Sequence, residues 1–206
     1  HRTYRREPSF TVAIARDPAF NFMYEANIRY LHHLGEVTYF SPLADTSLPD
    51  AGFVYLPGGY PELYLAALSA NRPMLQSIRR YVENGGKLLA ECGGMMYLCD
   101  EIRDKNGDVF PMVGVLHQSA TMENMKLRLG YRTLLYNDAR LKGHEFHYSR
   151  LVEQQDPLPS CAVAYTAKGV KTDTPLYHYK NVWAGYTHLY WADPAGNDWF
   201  TKFIIK

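Results

Sequence analysis

Short apolar runs alternate with segments of helical spacing through the first half of the chain. Four runs of four or five residues predict buried strands, namely 11–15, 37–40, 53–56 and 87–90. Helices are predicted between and after them: one begins after Asn21 as N-cap and ends at Gly35, others begin at Pro61 and Pro73, and a short one covers 95–99. This alternation predicts an α/β fold with a mostly parallel central sheet flanked by helices.

The second half has a different pattern. Residues 126–136, 145–151, 162–167 and 176–190 are predicted as strands, several of which can pair as hairpins, and a closing helix is predicted over 198–205. We therefore expect one domain, residues 11–206, with an antiparallel extension in its second half.

Composition places the chain among globular proteins and removes several classes of partner. The 206 residues include 47% hydrophobic and 21% charged residues, with 22 Lys and Arg against 21 Asp and Glu. This balance predicts no nucleic acid or membrane partner. The three cysteines form no CxxC pair, so a reducing cytoplasm is expected. Because His1 rather than Met comes first, we expect residues 1–10 to be the end of a linker.

Cys92 is the most informative residue. It lies at the corner between a buried strand and a short helix, inside Ala-Glu-Cys-Gly-Gly. Such a corner strains the backbone and lifts the side chain clear of the sheet. A helix N-terminus lowers a cysteine pKa, so we expect a nucleophilic thiolate here. Cys99 and Cys161 lack this setting and are expected to be small buried apolar side chains.

A thiolate that attacks an amide needs N–H donors for the developing oxyanion. The N–H of Gly93, directly after the nucleophile, is the natural first donor. The second is expected from the Pro57-Gly58-Gly59 turn, with Gly59 as the candidate, because this turn ends a neighbouring parallel strand.

The base is expected to be a histidine, and spacing alone leaves several open. His188 lies near the end of a strand; His117 follows another. His144 and His147 would point to opposite faces of a third strand. For each of the last three, a structural role is the simpler interpretation, and no pattern predicts a metal site.

The motifs together resemble the class I glutamine amidotransferases, and within them the glutaminase domains of the cobyrinic acid a,c-diamide synthase family. The similar segments cover nearly the whole chain: 13–17 with 19–22, 41–43, 56–62 (LPGGYPE), 90–98, 143–149 (GHEFHYS) and 186–189.

The resemblance implies that Cys92 attacks the side-chain amide of glutamine and that His188 transfers protons. Many class I members carry His-x-Glu, whereas position 190 is Tyr here, so the partner that orients His188 is not predicted. No phosphate-binding loop is present in the sequence. ATP, Mg and most of the corrinoid acceptor site are therefore expected on an N-terminal synthetase domain outside this chain.

Two alternatives remain open at this stage. The same fold can serve cobyric acid or another tetrapyrrole, because acceptor specificity lies largely outside these residues. A non-catalytic docking module that retains the fold is the rival from another class.

Overall fold

The computed structural model describes residues 10–205. Its strands are β1 (Thr11–Ala15), β2 (Glu36–Phe40), β3 (Phe53–Leu56), β4 (Leu88–Glu91), β5 (Cys99–Arg103), β6 (Val109–Pro111), β7 (Leu116–Thr121), β8 (Arg128–Tyr136), β9 (Ala139–His147), β10 (Arg150–Leu151), β11 (Val163–Thr166), β12 (Lys171–Thr172), β13 (Leu176–Tyr179), β14 (Val182–Gly185) and β15 (His188–Leu189). Its α-helices are α1 (Glu25–Leu34), α2 (Leu65–Ala70), α3 (Arg72–Glu83), α4 (Gly93–Leu98) and α5 (Pro194–Trp199). A 3₁₀ turn (Pro61–Leu63) and a π-helix (Phe200–Ile205) complete the set.

The central sheet has six strands in the order β13-β14-β4-β3-β1-β2. Its neighbours pair in parallel except β13, which pairs antiparallel with β14. The predicted mostly parallel sheet is therefore confirmed. The carboxyl ends of β3, β4 and β14 meet at one edge, which is where open α/β sheets place their functional sites.

The second half adds two smaller sheets. One has the order β12-β11-β8-β9-β15, and all its neighbouring pairs are antiparallel. The other has the order β10-β7-β5-β6 and contains the parallel pair β5–β7. The long β8–β9 hairpin and β15 form the predicted antiparallel extension.

Two hydrophobic cores flank the central sheet, because successive side chains on a strand point to opposite faces. Ala13, Val54 and Leu88 belong to one core together with α3 and α4. Val12, Ile14, Phe53, Tyr55 and Leu89 belong to the other, which the C-terminal segment with Trp199 and Phe200 closes. The four inner strands are thus buried on both faces, as their near-continuous apolar sequences predict, whereas the edge strand β2 is mostly exposed.

Several element predictions were wrong in detail. Strands β5, β6 and β7 were not predicted, because polar and charged side chains hide their hydrophobic alternation. The strand predicted over 145–151 is the end of β9 plus the separate β10, and the stretch 176–190 divides into three strands. The closing helix begins earlier, at Pro194, and continues as the π-helix.

The first helix does not begin after Asn21. Tyr24 is its N-cap, and no side chain caps it. The backbone of Phe22 instead forms a bridge to Gly58, whose carbonyl accepts the Phe22 N–H at 3.1 Å. This long-range contact holds the segment before α1 extended.

The linker predicted over 1–10 lies outside the described residues except for Phe10. No helix within the described part of the chain is both long and apolar enough to cross a bilayer.

Candidate active site

Cys92 occupies the corner between β4 and α4 in a backbone conformation that L-residues rarely adopt, with φ 52° and ψ −109°. Its N–H donates to Gly185 O at 2.7 Å, which fixes the corner on the neighbouring strand. A Cβ on Gly94 would lie 2.1 Å from Leu56 O, and one on Gly93 would lie 2.7 Å from Pro61 Cδ. Glycine is therefore required after Cys92 by the close approach of the β3 end.

Cys92 lies at the wall of a cavity of about 250 Å³. The cavity lies at the carboxyl ends of β3 and β4, and β9 and β15 close it from the antiparallel extension. Its lining residues are Phe22, Gly59, Tyr60, Cys92, His144, Phe146 and His188. The fold thus brings together Cys92, Gly59 and His188, which lie far apart in the sequence.

The Gly58-Gly59 turn fits tightly between these groups. Gly59 has φ 149°, and a Cβ there would lie 2.3 Å from Ala19 O. A Cβ on Gly58 would lie 2.3 Å from Cε1 of His188, and one on Gly93 would lie 3.2 Å from Gly59 O. The turn therefore lies against both the His188 ring and the start of α4, where an oxyanion donor is expected.

The Cys92 thiol is protonated in the ligand-free protein. Burial raises the pKa of Cys92 and the nearby Glu62 carboxylate adds to the rise, whereas the Gly93 amide opposes it. The side chain donates weakly to Phe146 O at 3.6 Å. The prediction of a lowered pKa was wrong for this state, because desolvation outweighs the positive end of a six-residue helix.

His188 is buried and neutral. Burial, followed by the neighbouring His144 and His147, lowers its pKa to about 4. Its ring packs edge-on against Phe22 at 4.4 Å between centroids, and its Nδ1 has no hydrogen-bond partner among the described residues. The side chain of Tyr190, at the position of the missing acid, instead packs against Tyr24. A neutral imidazole has a nitrogen lone pair that can accept a proton, and it lines the same cavity as the Cys92 thiol.

His144 and His147 lie on opposite faces of β9, as predicted. His144 lines the cavity, whereas His147 is buried behind it. His147 Nε2 contacts Glu145 Oε1 at 2.7 Å, and its ring stacks on Tyr186 at 3.6 Å. His117 is exposed and pairs with Asp100 at 3.1 Å, away from the cavity. His188 and His144 are therefore the histidines that line the same cavity as Cys92.

The other two cysteines differ from each other. Cys99 is buried, as expected, and its thiol donates to Met95 O. Cys161 is exposed, so the prediction of a buried side chain was wrong for it. Within residues 10–205, no group of three or more His, Cys, Asp or Glu is arranged to hold a metal ion.

Sequence reasoning did not single out the aromatic wall of the cavity or the carboxylate beside Cys92. Phe22, Tyr60 and Phe146 lie within the segments that resemble the family. Their place in those segments could have indicated that they line the site. Glu91 carried a second signal: a charged residue that ends an otherwise apolar strand. It is buried, and its carboxylate contacts Tyr55 and the backbone of Leu189.

Comparison with known proteins shows the family to which this chain is similar. The model of the CobB/CobQ-like glutamine amidotransferase domain family matches residues 11–196. Hydrogenobyrinate a,c-diamide synthase of Pseudomonas aeruginosa is 39% identical over 185 residues, which cover 87% of this chain and 41% of that protein. Cobyrinate a,c-diamide synthase of Clostridium acetobutylicum is 37% identical over 211 residues, which cover 98% of this chain and 46% of that protein.

Solved structures support the fold independently of close sequence similarity. A glutamine amidotransferase crystal structure superposes with a TM-score of 0.62 at 16% identity, over 95% of this chain and 99% of that one. The chain spans less than half the length of the curated relatives described above. Its match to the family model, to these relatives and to this fold shows that the chain belongs to the CobB/CobQ-like glutamine amidotransferase domain family.

Proposed function

We propose that this domain hydrolyses glutamine through a thioester on Cys92. His188 takes the thiol proton as Sγ attacks the side-chain carbonyl carbon of glutamine, and the carbonyl oxygen becomes an oxyanion. The backbone N–H groups of Gly93 and Gly59 stabilise that charge. Collapse of the intermediate breaks the C–N bond, and His188 returns the proton to the departing ammonia. Water then attacks the thioester with the same base and releases glutamate.

One observation carries this proposal: a single cavity contains a strained corner cysteine, a buried neutral histidine and the Gly59 turn. A protonated thiol at rest fits an enzyme that activates its nucleophile when substrate is bound. The free cysteines fit a reducing compartment, which supports our assignment of the domain to the cytoplasm.

We infer further that the ammonia serves an ATP-dependent amide ligase. The relatives are named for a,c-diamide synthesis on cobyrinate or hydrogenobyrinate and are more than twice as long as the matched region. We assign ATP, Mg and most of the corrinoid site to an N-terminal synthetase domain, with residues 1–10 as the end of the linker. The products are amides of the a and c acetate side chains.

The first test replaces Cys92 by Ala in the full-length protein. Glutamine-dependent amidation and glutamate release should fall to background, because no thioester forms, while ammonia-dependent amidation of cobyrinate continues. Cys161→Ala, which removes an exposed cysteine, is the matched control and should retain both activities. Glutamine turnover by the Cys92 variant contradicts the proposal.

A glutamine-analogue electrophile separates the enzyme from a non-catalytic docking module. Mass spectrometry should find the adduct on Cys92 and not on Cys161. If the full-length protein shows no selective labelling, the docking interpretation is correct. A panel of carboxylated tetrapyrroles, with ammonia as the nitrogen source, then identifies the acceptor.

A further inference from the structure

Residues 188–191 are held by buried side chains rather than by a long strand. β15 is only two residues long, and it pairs with β9 through His188 and Leu189. One further backbone bond, from the Tyr190 N–H to Lys142 O at 2.8 Å, extends this short pairing. Beyond this pairing, the backbone after His188 is held by buried side chains.

Glu91 supplies one of these contacts. Its carboxylate Oε2 accepts the N–H of Leu189 at 2.8 Å, and Oε1 accepts the hydroxyl of Tyr55. Glu91 directly precedes Cys92, and Leu189 directly follows His188. A single side chain therefore links the strand of the nucleophile to the strand of the base.

Asn27 on α1 supplies the complementary contacts. Its Nδ2 donates to Leu189 O at 2.8 Å, and its Oδ1 accepts the N–H of Trp191 at 2.9 Å. Both Glu91 and Asn27 are buried in a predominantly apolar core. Buried polar groups persist where their hydrogen bonds are satisfied, and such networks specify one conformation.

The imidazole of His188 has no comparable partner of its own. Its Nδ1 makes no hydrogen bond within residues 10–205, and the ring is confined by Phe22 and Gly58. Packing against Phe22 and Gly58 limits the rotation of the ring. The position of the ring relative to Cys92 therefore depends on the position of the His188 backbone.

We propose that Glu91 and Asn27 are positioning residues, which hold the backbone after His188 and thereby set the distance between the base and Cys92. They take the place of an acid that would orient the imidazole directly. This inference rests on the proposed roles of Cys92 and His188.

The protonation state of Glu91 suggests a conservative substitution. Burial raises the pKa of Glu91 to about 8, although the hydrogen bonds from Tyr55 and Leu189 oppose the rise. A neutral carboxyl still offers an oxygen to the Leu189 N–H. Glutamine has the same shape and keeps one acceptor oxygen, so it should preserve the contact with Leu189, while its NH2 group would donate to the Tyr55 hydroxyl oxygen.

The test compares kcat and KM for glutamine hydrolysis in the full-length protein. Glu91→Leu removes the acceptor and should lower kcat about 100-fold, because a displacement of about 1 Å in a catalytic group has that effect. KM should change less than about threefold, since Glu91 does not line the cavity. Glu91→Gln, which keeps an acceptor, should have a kcat within about threefold of wild type.

Asn27→Ala tests the same role from a different element and decides the question if the Glu91→Leu protein does not fold. It should lower kcat in the same way with KM unchanged. Leu89→Ala is the matched structural control: Leu89 is buried on the same strand and the same face as Glu91 but does not contact residues 188–191 through a hydrogen bond. It should lower the unfolding temperature and leave kcat unchanged.

Two results overturn the inference: wild-type kcat in a folded Glu91→Leu or Asn27→Ala protein, or an equal loss of kcat in Leu89→Ala. A Cys92→Ser variant measured in parallel separates this failure from that of the proposed function. If Cys92→Ser is inactive and the positioning variants are not impaired, the positioning role alone is wrong. If Cys92→Ser hydrolyses glutamine, the proposed function itself is wrong.

Discussion

At the scale of single residues, the ligand-free site is a pair of neutral groups. Burial raises the pKa of Cys92 and lowers that of His188 to about 4, so neither carries a charge near pH 7. Desolvation causes both shifts, because charged forms are disfavoured away from water. In the proposed mechanism, the thiol becomes a nucleophile as its proton passes to His188.

This protonation state predicts the reactivity of Cys92 towards iodoacetamide. The alkylation rate should rise about tenfold per pH unit between about pH 6 and 9 without a plateau, because the thiolate is the reactive form. Mass spectrometry of the Cys92 peptide gives the rate, and the exposed Cys161 is the internal reference. A plateau below about pH 8 would show a stabilised thiolate and contradict this prediction.

At the scale of elements, β9 performs two tasks on its two faces. His144 and Phe146 line the cavity on one face. Glu145 and His147 are buried on the other, where Glu145 Oε2 accepts from Arg132 Nε at 2.8 Å and from Thr174 at 2.7 Å. Phe146, whose carbonyl accepts from the Cys92 thiol, lies between Glu145 and His147 in the chain. The hydrogen bonds on the buried face of β9 therefore support the strand that forms the cavity wall.

Loss of the Glu145 carboxylate should destabilise the fold. Glu145→Ala leaves Arg132 and His147 buried without their partner and should lower the free energy of unfolding by about 3 kcal/mol. Arg128 also pairs with Glu145 but is 42% exposed, so Arg128→Ala should cost less than about 1 kcal/mol and serves as the control. Urea denaturation at pH 7 measures both.

The same carboxylate makes stability depend on pH. Burial alone would raise the pKa of Glu145, but hydrogen bonds from His147 and Thr174 and the charge of Arg128 lower it to about 2. A lowered pKa stabilises the folded state above the unfolded value of about 4.5, and that contribution is lost as pH falls towards 2. The difference between wild type and Glu145→Ala should therefore be smaller at pH 3 than at pH 7.

At the scale of the whole molecule, the C-terminal segment closes one of the two cores. Phe200 is fully buried; its ring stacks on Trp191 at 5.2 Å and meets Phe53 edge-on at 5.1 Å. Trp191 belongs to the segment that carries His188. The last helix therefore supports the sheet and, through Trp191, the strand of the proposed base.

Truncation of Phe200 should affect the entire fold. Phe200→Ala leaves a cavity in the core and should lower the free energy of unfolding by about 3–5 kcal/mol. Lys202→Ala, at an exposed position of the same π-helix, should change it by less than about 0.5 kcal/mol. Thermal and urea unfolding of both variants test this, and equal effects would contradict the assigned packing.

The sequence by itself determined those features that depend on local chemistry. The apolar runs predict the parallel strands, and Ala-Glu-Cys-Gly-Gly predicts the strained corner, since steric limits on φ and ψ act within a few residues. The spread of family-like segments also marks the glutamine amidotransferase fold. The sequence did not predict β5 to β7, because polar side chains hide their alternation. It did not predict the start of α1 either, because the bridge from Phe22 to Gly58 overrides the local preference for helix.

Only the tertiary structure decided which histidines share a cavity with Cys92, which protonation states Cys92 and His188 adopt, and what holds the backbone after His188 in place. These depend on burial and on contacts between residues far apart in the chain, such as Glu91 with Leu189 and Asn27 with Trp191. Desolvation is a property of the assembled core. For that reason the sequence identified the candidate nucleophile, while its environment, and with it the neutral resting state, came from the fold.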